Sequence, residues 1–171
     1  MSGQGLINGR DFARNACEMH GEIAAAALRR VQDGLYDDAG SIRWSLRGGL
    51  NARNQPVLDV TIDGELHLRC ERCLGPLAHR VQVARQLVLV AHASDLLDPA
   101  EEEEHVDTVL LDQETDVAAL IEDEVLLSLP FAPRHADGQC AAPRDLEHVA
   151  ETAASPFASL AQLQRRRPAN S

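Results

Sequence analysis

Apolar residues recur along this chain at two different periods. Between residues 11 and 33, Ala16, Met19, Ile23, Ala27 and Val31 follow one another at three- and four-residue spacing. That spacing predicts a helix, with Gly34 as its stop. From residue 41 the period becomes two. Ile42, Trp44 and Leu46 alternate with Ser41, Arg43 and Ser45, and Leu58, Val60 and Ile62 alternate with Asp59 and Thr61. Alternation of this kind marks strands with one buried face. The intervening stretch from Gly48 to Pro56 has turn composition, and Asp63-Gly64 reads as a hairpin turn. Leu66, Leu68 and Cys70 then predict a third strand, and Val81, Val83, Leu87 and Leu89 a fourth. Arg85 falls at an inward position of that last strand, so a place at the sheet edge or at a bulge is expected for it. Short connections between four strands predict an antiparallel meander.

Beyond the strands, residues 94–115 form an acidic connection, with Val109, Leu110 and Leu111 as a short strand within it. Thr115 or Asp116 is placed to cap a helix whose apolar face is Val117, Leu120, Ile121 and Val125. Pro130 and Pro133 end it. The run Glu122-Asp123-Glu124 is expected on its wet face. The prediction is an α+β fold: a mostly antiparallel sheet flanked by an N-terminal helix at 11–33 and a helix near 116–129. Residues 1–133 form one domain with the acidic linker 94–115. Residues 134–171 form a partly disordered extension with a short helix near Phe157–Leu163 and a basic end.

Composition narrows the class. Hydrophobic residues make up 44% of the 171, enough for a sizeable core, but aromatics only 3%, so Leu, Val, Ile and Ala must fill it. No stretch approaches the roughly 20 apolar residues of a membrane span, and the first residues lack the basic start and apolar run of a signal peptide. Four cysteines are too few for a disulfide framework in a chain of this length. A cytoplasmic protein with no membrane partner is expected.

Charge is unevenly spread. The net charge is -11, yet residues 66–92 carry Arg69, Arg72, Arg80 and Arg85 against Glu71 alone, while 93–133 carry thirteen acids and no Arg or Lys. A phosphate partner would be drawn to the first segment and repelled by the second. Leu66 and Leu68 point inward, so Arg69 points out, and Arg80 opens the next strand on the same side. These two arginines are expected near each other if their strands are hairpin neighbours. Arg165, Arg166 and Arg167 form a second basic group near the end.

The most specific local motif is Cys70-Glu71-Arg72-Cys73-Leu74-Gly75-Pro76. Two cysteines separated by two residues can turn both sulfurs to one ion, as in a zinc knuckle, but tetrahedral zinc takes four ligands. His135 and Cys140, in a His-x4-Cys hook, would complete a Cys3His set. Zinc ligands, unmetallated thiols at a turn and a redox pair all stay open on spacing alone. A thioredoxin-like role would want the motif opening a helix; here a strand leads in and Gly-Pro follows. His20-Gly21-Glu22 matches half of a zinc-deaminase pattern, but Arg69 stands where the second half needs Pro. No glycine-rich phosphate loop, Gly-x-Ser-x-Gly or His-Glu-x-x-His is present, and no small-molecule substrate is expected.

Three stretches taken together resemble the YceD family, the large ribosomal RNA subunit accumulation proteins. They are Leu66-His67-Leu68-Arg69-Cys70-Glu71-Arg72-Cys73-Leu74-Gly75-Pro76-Leu77, the stretch from Leu120 to Pro130 with His135 and Cys140 after it, and Ser155-Pro156-Phe157-Ala158-Ser159-Leu160-Ala161-Gln162-Leu163 before the basic end. Order and spacing match from about residue 10 to 167. The resemblance implies a non-enzymatic accessory role in accumulation of the 23S ribosomal RNA. The partner would be precursor ribosomal RNA or large-subunit ribosomal proteins, met by Arg69, Arg72, Arg80, Arg85 and the terminal arginines. The rival classes are a zinc- or thiol-based switch built on Cys70 and Cys73, and an RNA-processing enzyme, which would need clustered acids holding magnesium.

Overall fold

A computed structural model describes residues 5–96, 106–110 and 114–140. The strand β1 (Leu6–Asn8) leads into a short helix α1 (Gly9–Arg14), followed by β2 (Glu18–Ala24) and two 3-10 turns, Ala25–Ala27 and Gln32–Gly34. Three long strands come next: β3 (Leu35–Leu50), β4 (Pro56–Arg69) and β5 (Pro76–Val90). Then follow β6 (Val106–Leu110), β7 (Glu114–Asp116) and helix α2 (Val117–Ser128). A five-stranded sheet has the order β2-β3-β4-β5-β6, and β1 pairs with β7 in a separate two-stranded sheet. Every pairing in the large sheet is antiparallel except β5 with β6, which is parallel. The α+β architecture is therefore as expected, with a parallel fifth strand drawn from what reads as acidic linker.

The alternation puts one face of this sheet inside. Trp44 stands opposite Ile62, which stands opposite Val83, and all three are buried. α1 and α2 close over that face with Phe12, Ala13, Val117, Ile121 and Val125 in the common core. Asp116 caps α2 by accepting from the Ala118 amide at 2.9 Å. Among the described residues no helix is long and apolar enough to cross a membrane.

The helix expected over 11–33 is a correction: only Gly9–Arg14 is α-helical, and 18–24 is a strand. Met19 and Ile23 fit both periods, because Glu18, His20 and Glu22 also alternate with them. Two features decide for the strand. Ala16 takes a left-handed φ of 48° that ends the helix. Gly21, opposite Trp44, lies so close under the indole that a Cβ there would be 2.8 Å from Trp44 Cζ2. A glycine disfavoured in a helix interior here makes room for the largest side chain of the core.

The Asp63-Gly64 turn is a second correction, since β4 runs straight through it. The inward phase 58, 60, 62 continues through 64 to 66 and 68, so no reversal is needed. Gly64 is there because β3 and β4 curl tightly together: a Cβ would meet the Ser41 carbonyl oxygen at 2.4 Å and Ile42 Cα at 2.7 Å. Both are backbone atoms, so neither can swing aside. Gly64→Ala is expected to lower stability by about 1–3 kcal/mol through overpacking, read as a fall in thermal midpoint; an unchanged midpoint would show that the curl is not needed.

The acid run needs correcting as well, and Arg85 has partners that its phase alone did not name. Arg85 stands opposite Val60 within an unbroken register, so there is no bulge; the pairing of β5 with β6 begins only at Gln86, so among the described residues Arg85 lies at the sheet's edge, as expected. It reaches Asp107 of β6 at 2.5 Å and Glu124 of α2 at 3.4 Å. Glu124 is 5% exposed, so it is a core residue and not part of a wet face. Its position three residues after Ile121 puts it on the inward stripe of α2. Glu122 and Asp123 do face out, where Glu122 accepts from the Arg30 amide and Asp123 pairs with the Arg30 guanidinium.

Candidate metal centre

Between β4 and β5 the chain reverses through Cys70–Gly75. The Cys70 amide donates to Gly75 O at 3.0 Å and the Leu74 amide to Cys70 O at 2.9 Å. Leu74 takes a left-handed φ of 56° to close the turn. The segment after α2 folds back onto it: the Glu71 amide donates to Pro133 O at 2.9 Å. These backbone bonds, made far apart in sequence, bring the His-x4-Cys hook to the Cys-x-x-Cys turn.

The result is a cluster in which one ligand atom each from Cys70, Cys73, His135 and Cys140 lies within 4.8 Å of all the others. Cys70 Sγ is 3.9 Å from Cys140 Sγ, Cys73 Sγ 3.4 Å from His135 Nδ1, and Cys140 Sγ 3.8 Å from His135 Nδ1. Four ligands on a tetrahedral zinc, at its ordinary bond lengths, would stand about 3.8 Å apart for two sulfurs and about 3.6 Å for sulfur and nitrogen. The donors therefore fit a small thiophilic ion.

The surroundings prepare the donors. His135 Nε2 lies 2.9 Å from the Pro76 carbonyl oxygen, which can only accept. Nε2 must carry the proton, leaving the Nδ1 lone pair facing the sulfurs. Cys70 is fully buried. Burial pushes its thiol up, but the amides of Cys73, His135 and Arg72 donate to the sulfur and bring it down to about 5. Burial raises Cys140, as does its hydrogen bond to Cys70. Hydrogen bonding thus favours the thiolate at Cys70, and metal binding would release the proton of a neighbouring thiol.

The arginines each have partners of their own. Arg72, in the turn, pairs with Asp137 at 3.0 Å. Arg69 donates to Asp33 O at 3.0 Å. Arg80 pairs with Asp63 at 2.9 Å, and Arg43 approaches the same carboxylate at 3.5 Å. The hydrogen bond from Arg80 is the chief cause holding Asp63 below the usual carboxylate value. Arg69 and Arg80 are not neighbours, because Arg69 stands opposite Pro76 and Arg80 opposite Glu65. Four residues of strand, roughly 13 Å, separate them. The expected like-charge pair is instead a set of arginines each matched to an acid or a carbonyl. His20 and Glu22 lie on β2, where Glu22 accepts from Ser41 Oγ at 2.5 Å. Arg165, Arg166, Arg167 and the predicted helix near Phe157–Leu163 lie outside the described residues.

Sequence reasoning missed the Arg85–Asp107–Glu124 cluster and the Pro133 carbonyl that docks the hook. The only signal for the first was the phase of Arg85 and Glu124 on their inward stripes.

A sheet-and-helix domain whose Cys-x-x-Cys turn is tied to a distant hook defines a small protein with a four-donor candidate metal centre. The family described as large ribosomal RNA subunit accumulation protein YceD matches residues 58–164, more than half of the chain and all four donors of the cluster. The chain belongs to that family. No solved structure matches it.

Proposed function

We propose that the protein is a non-enzymatic accessory factor for the 23S ribosomal RNA, built around a structural zinc ion on Cys70, Cys73, His135 and Cys140. The observation that supports this most is the convergence of four protein donors from two distant stretches of the family match. A site with four protein ligands is closed, whereas catalytic zinc keeps a position open for water or substrate. Zinc here would supply folding energy, joining the β4–β5 turn to the segment after α2. The working surface would lie at this joint, where Arg69 and Arg72 sit beside the clamp, and the partner would be precursor ribosomal RNA or a large-subunit ribosomal protein in the cytoplasm. Arg80 and Arg85 are held by acids less open to water than the Asp137 that pairs with Arg72, so they contribute less to such a contact.

Depleting the protein and profiling ribosomal subunits and precursor RNA tests the role. Loss of large subunits with abnormal 23S precursors is expected, and an unchanged profile would remove the proposal. Binding of the purified protein to bare RNA should be weak and steeply salt-dependent, because a net charge of -11 opposes it. Tight binding insensitive to salt would contradict that.

A further inference from the structure

Just after α2, Phe131 projects its whole side chain into solvent, with a relative exposure of 106%. Leu127, one turn earlier, is 69% exposed, and Leu74 in the cysteine turn 63%. Only 3% of the chain is aromatic, so leaving a ring in water spends a scarce core-building residue. The ring is not on a loose tip. Pro130 precedes it and Pro133 follows, each fixing its own φ. The Pro133 carbonyl is tied to the Glu71 amide, and His135 is a donor of the cluster. A group held this way loses little freedom on binding.

Charge says what kind of partner suits it. The last residue of β4, the cysteine turn and the segment 131–140 carry Arg69, Arg72 and Arg134 against Glu71 and Asp137, one positive charge in excess in a chain that is otherwise strongly acidic. Arg134 is exposed. The Asp137 side chain paired with Arg72 is fully exposed, at 102%, and an ion pair so open to water holds its guanidinium weakly. Arg134 can therefore turn to phosphate, and Arg72, which also hydrogen-bonds the Cys140 sulfur, can exchange Asp137 for it. The apolar area offered, one ring and two leucines, falls well short of the roughly 800 Å² per partner that a specific protein–protein interface buries. It suits a single nucleobase.

We propose that Phe131 is a stacking platform for one unpaired base of RNA, with Arg72 and Arg134 taking the adjoining phosphates. This rests on the RNA role proposed above and names the surface that would carry it. Aromatic side chains stack on any base without reading its sequence, so the contact would favour single-stranded segments of a precursor over any particular sequence.

The test uses the full-length chain at low salt with a single-stranded uridine oligonucleotide as probe. In Phe131→Trp the new indole should be quenched by the oligonucleotide and left unchanged by a blunt duplex, while the buried Trp44 supplies a constant background. Phe131→Ala should weaken oligonucleotide binding on the order of tenfold, with circular dichroism and metal content as in the parent. Unquenched Phe131→Trp, or parental binding by Phe131→Ala, overturns the proposal. So does Phe131→Ala losing a ribosomal protein, but no RNA, from captured precursor particles, since the face would then serve a protein. Complementation separates this from the parent reading. If the parent gene restores 23S accumulation in depleted cells while the oligonucleotide results are negative, stacking falls and the ribosomal role stands. If the parent gene itself fails to restore it, the role falls.

Discussion

Arg85→Leu is expected to destabilise the fold by roughly 3–5 kcal/mol, the cost of leaving a buried charge without its partner. Arg85 lies on the inward face of β5, with its Nε 3.4 Å from Glu124 and its Nη1 2.5 Å from Asp107. Glu124 is almost wholly buried. Burial already pushes its carboxyl above the ordinary glutamate value, Asp107 and Asp123 push the same way, and Arg85 opposes them. Without Arg85 the carboxyl must take up a proton or stay charged in the core, and either weakens the seat of α2 on the sheet. A second change should reverse most of the loss: Glu124→Leu added to Arg85→Leu removes the orphaned charge, and apolar replacements of buried ion pairs are often neutral. The sign of the pH effect follows. A carboxyl whose folded pKa lies above its unfolded one favours folding most below the unfolded value, and loses that contribution as pH rises through the folded value. The single variant should thus gain stability on acidification relative to the parent, and the double variant should not. Urea unfolding of the three proteins at mildly acidic and mildly alkaline pH measures this. Equal stability of parent and single variant would show that the ion cluster carries no weight.

The second large effect concerns the metal. Cys73→Ser is expected to take the proposed zinc from close to one per chain to near none. Loss of an outer hydrogen-bond partner alone costs about 10–100-fold in metal affinity, and a missing thiolate costs more. Because Cys73 Sγ and His135 Nδ1 face each other at 3.4 Å, the variant should also free the hook. The Glu71 amide, held by Pro133 O at 2.9 Å, should then exchange its hydrogen much faster. Chelation of the parent should produce the same exchange pattern. Metal analysis finding no zinc in anaerobically purified parent would sink the proposal. If Cys73→Ser then also left stability unchanged, Cys70 and Cys73 would be thiols of an ordinary tight turn.

Local pattern decided a good deal of this protein. The alternation of Ile42, Trp44 and Leu46 with polar neighbours, and the same phase through Leu58–Leu68 and Val81–Leu89, determine which face of each strand is buried. Asp116 and the stripe Val117, Ile121 and Val125 determine α2 to within a residue or two. The four residues of the cluster were legible from Cys-x-x-Cys and His-x4-Cys, because spacing within each half is a short-range property. Tertiary structure decided what those patterns share with alternatives. Met19 and Ile23 suit a helix or a strand, and the choice fell to β2 because Gly21 must lie against Trp44, a contact made across strands. Asp63-Gly64 has turn chemistry, but the close approach of Ser41 and Ile42 uses the same missing Cβ for packing. Arg85 and Glu124 each look misplaced on an apolar stripe until β5, β6 and α2 meet and their charges compensate. The two halves of the donor set are separated by the whole of β5, β6, β7 and α2, and only the fold-back of Pro133 onto Glu71 joins them. Periodicity along a chain reports which side of an element avoids water. It carries no record of which other element will cover that side, because that depends on contacts between residues far apart in sequence.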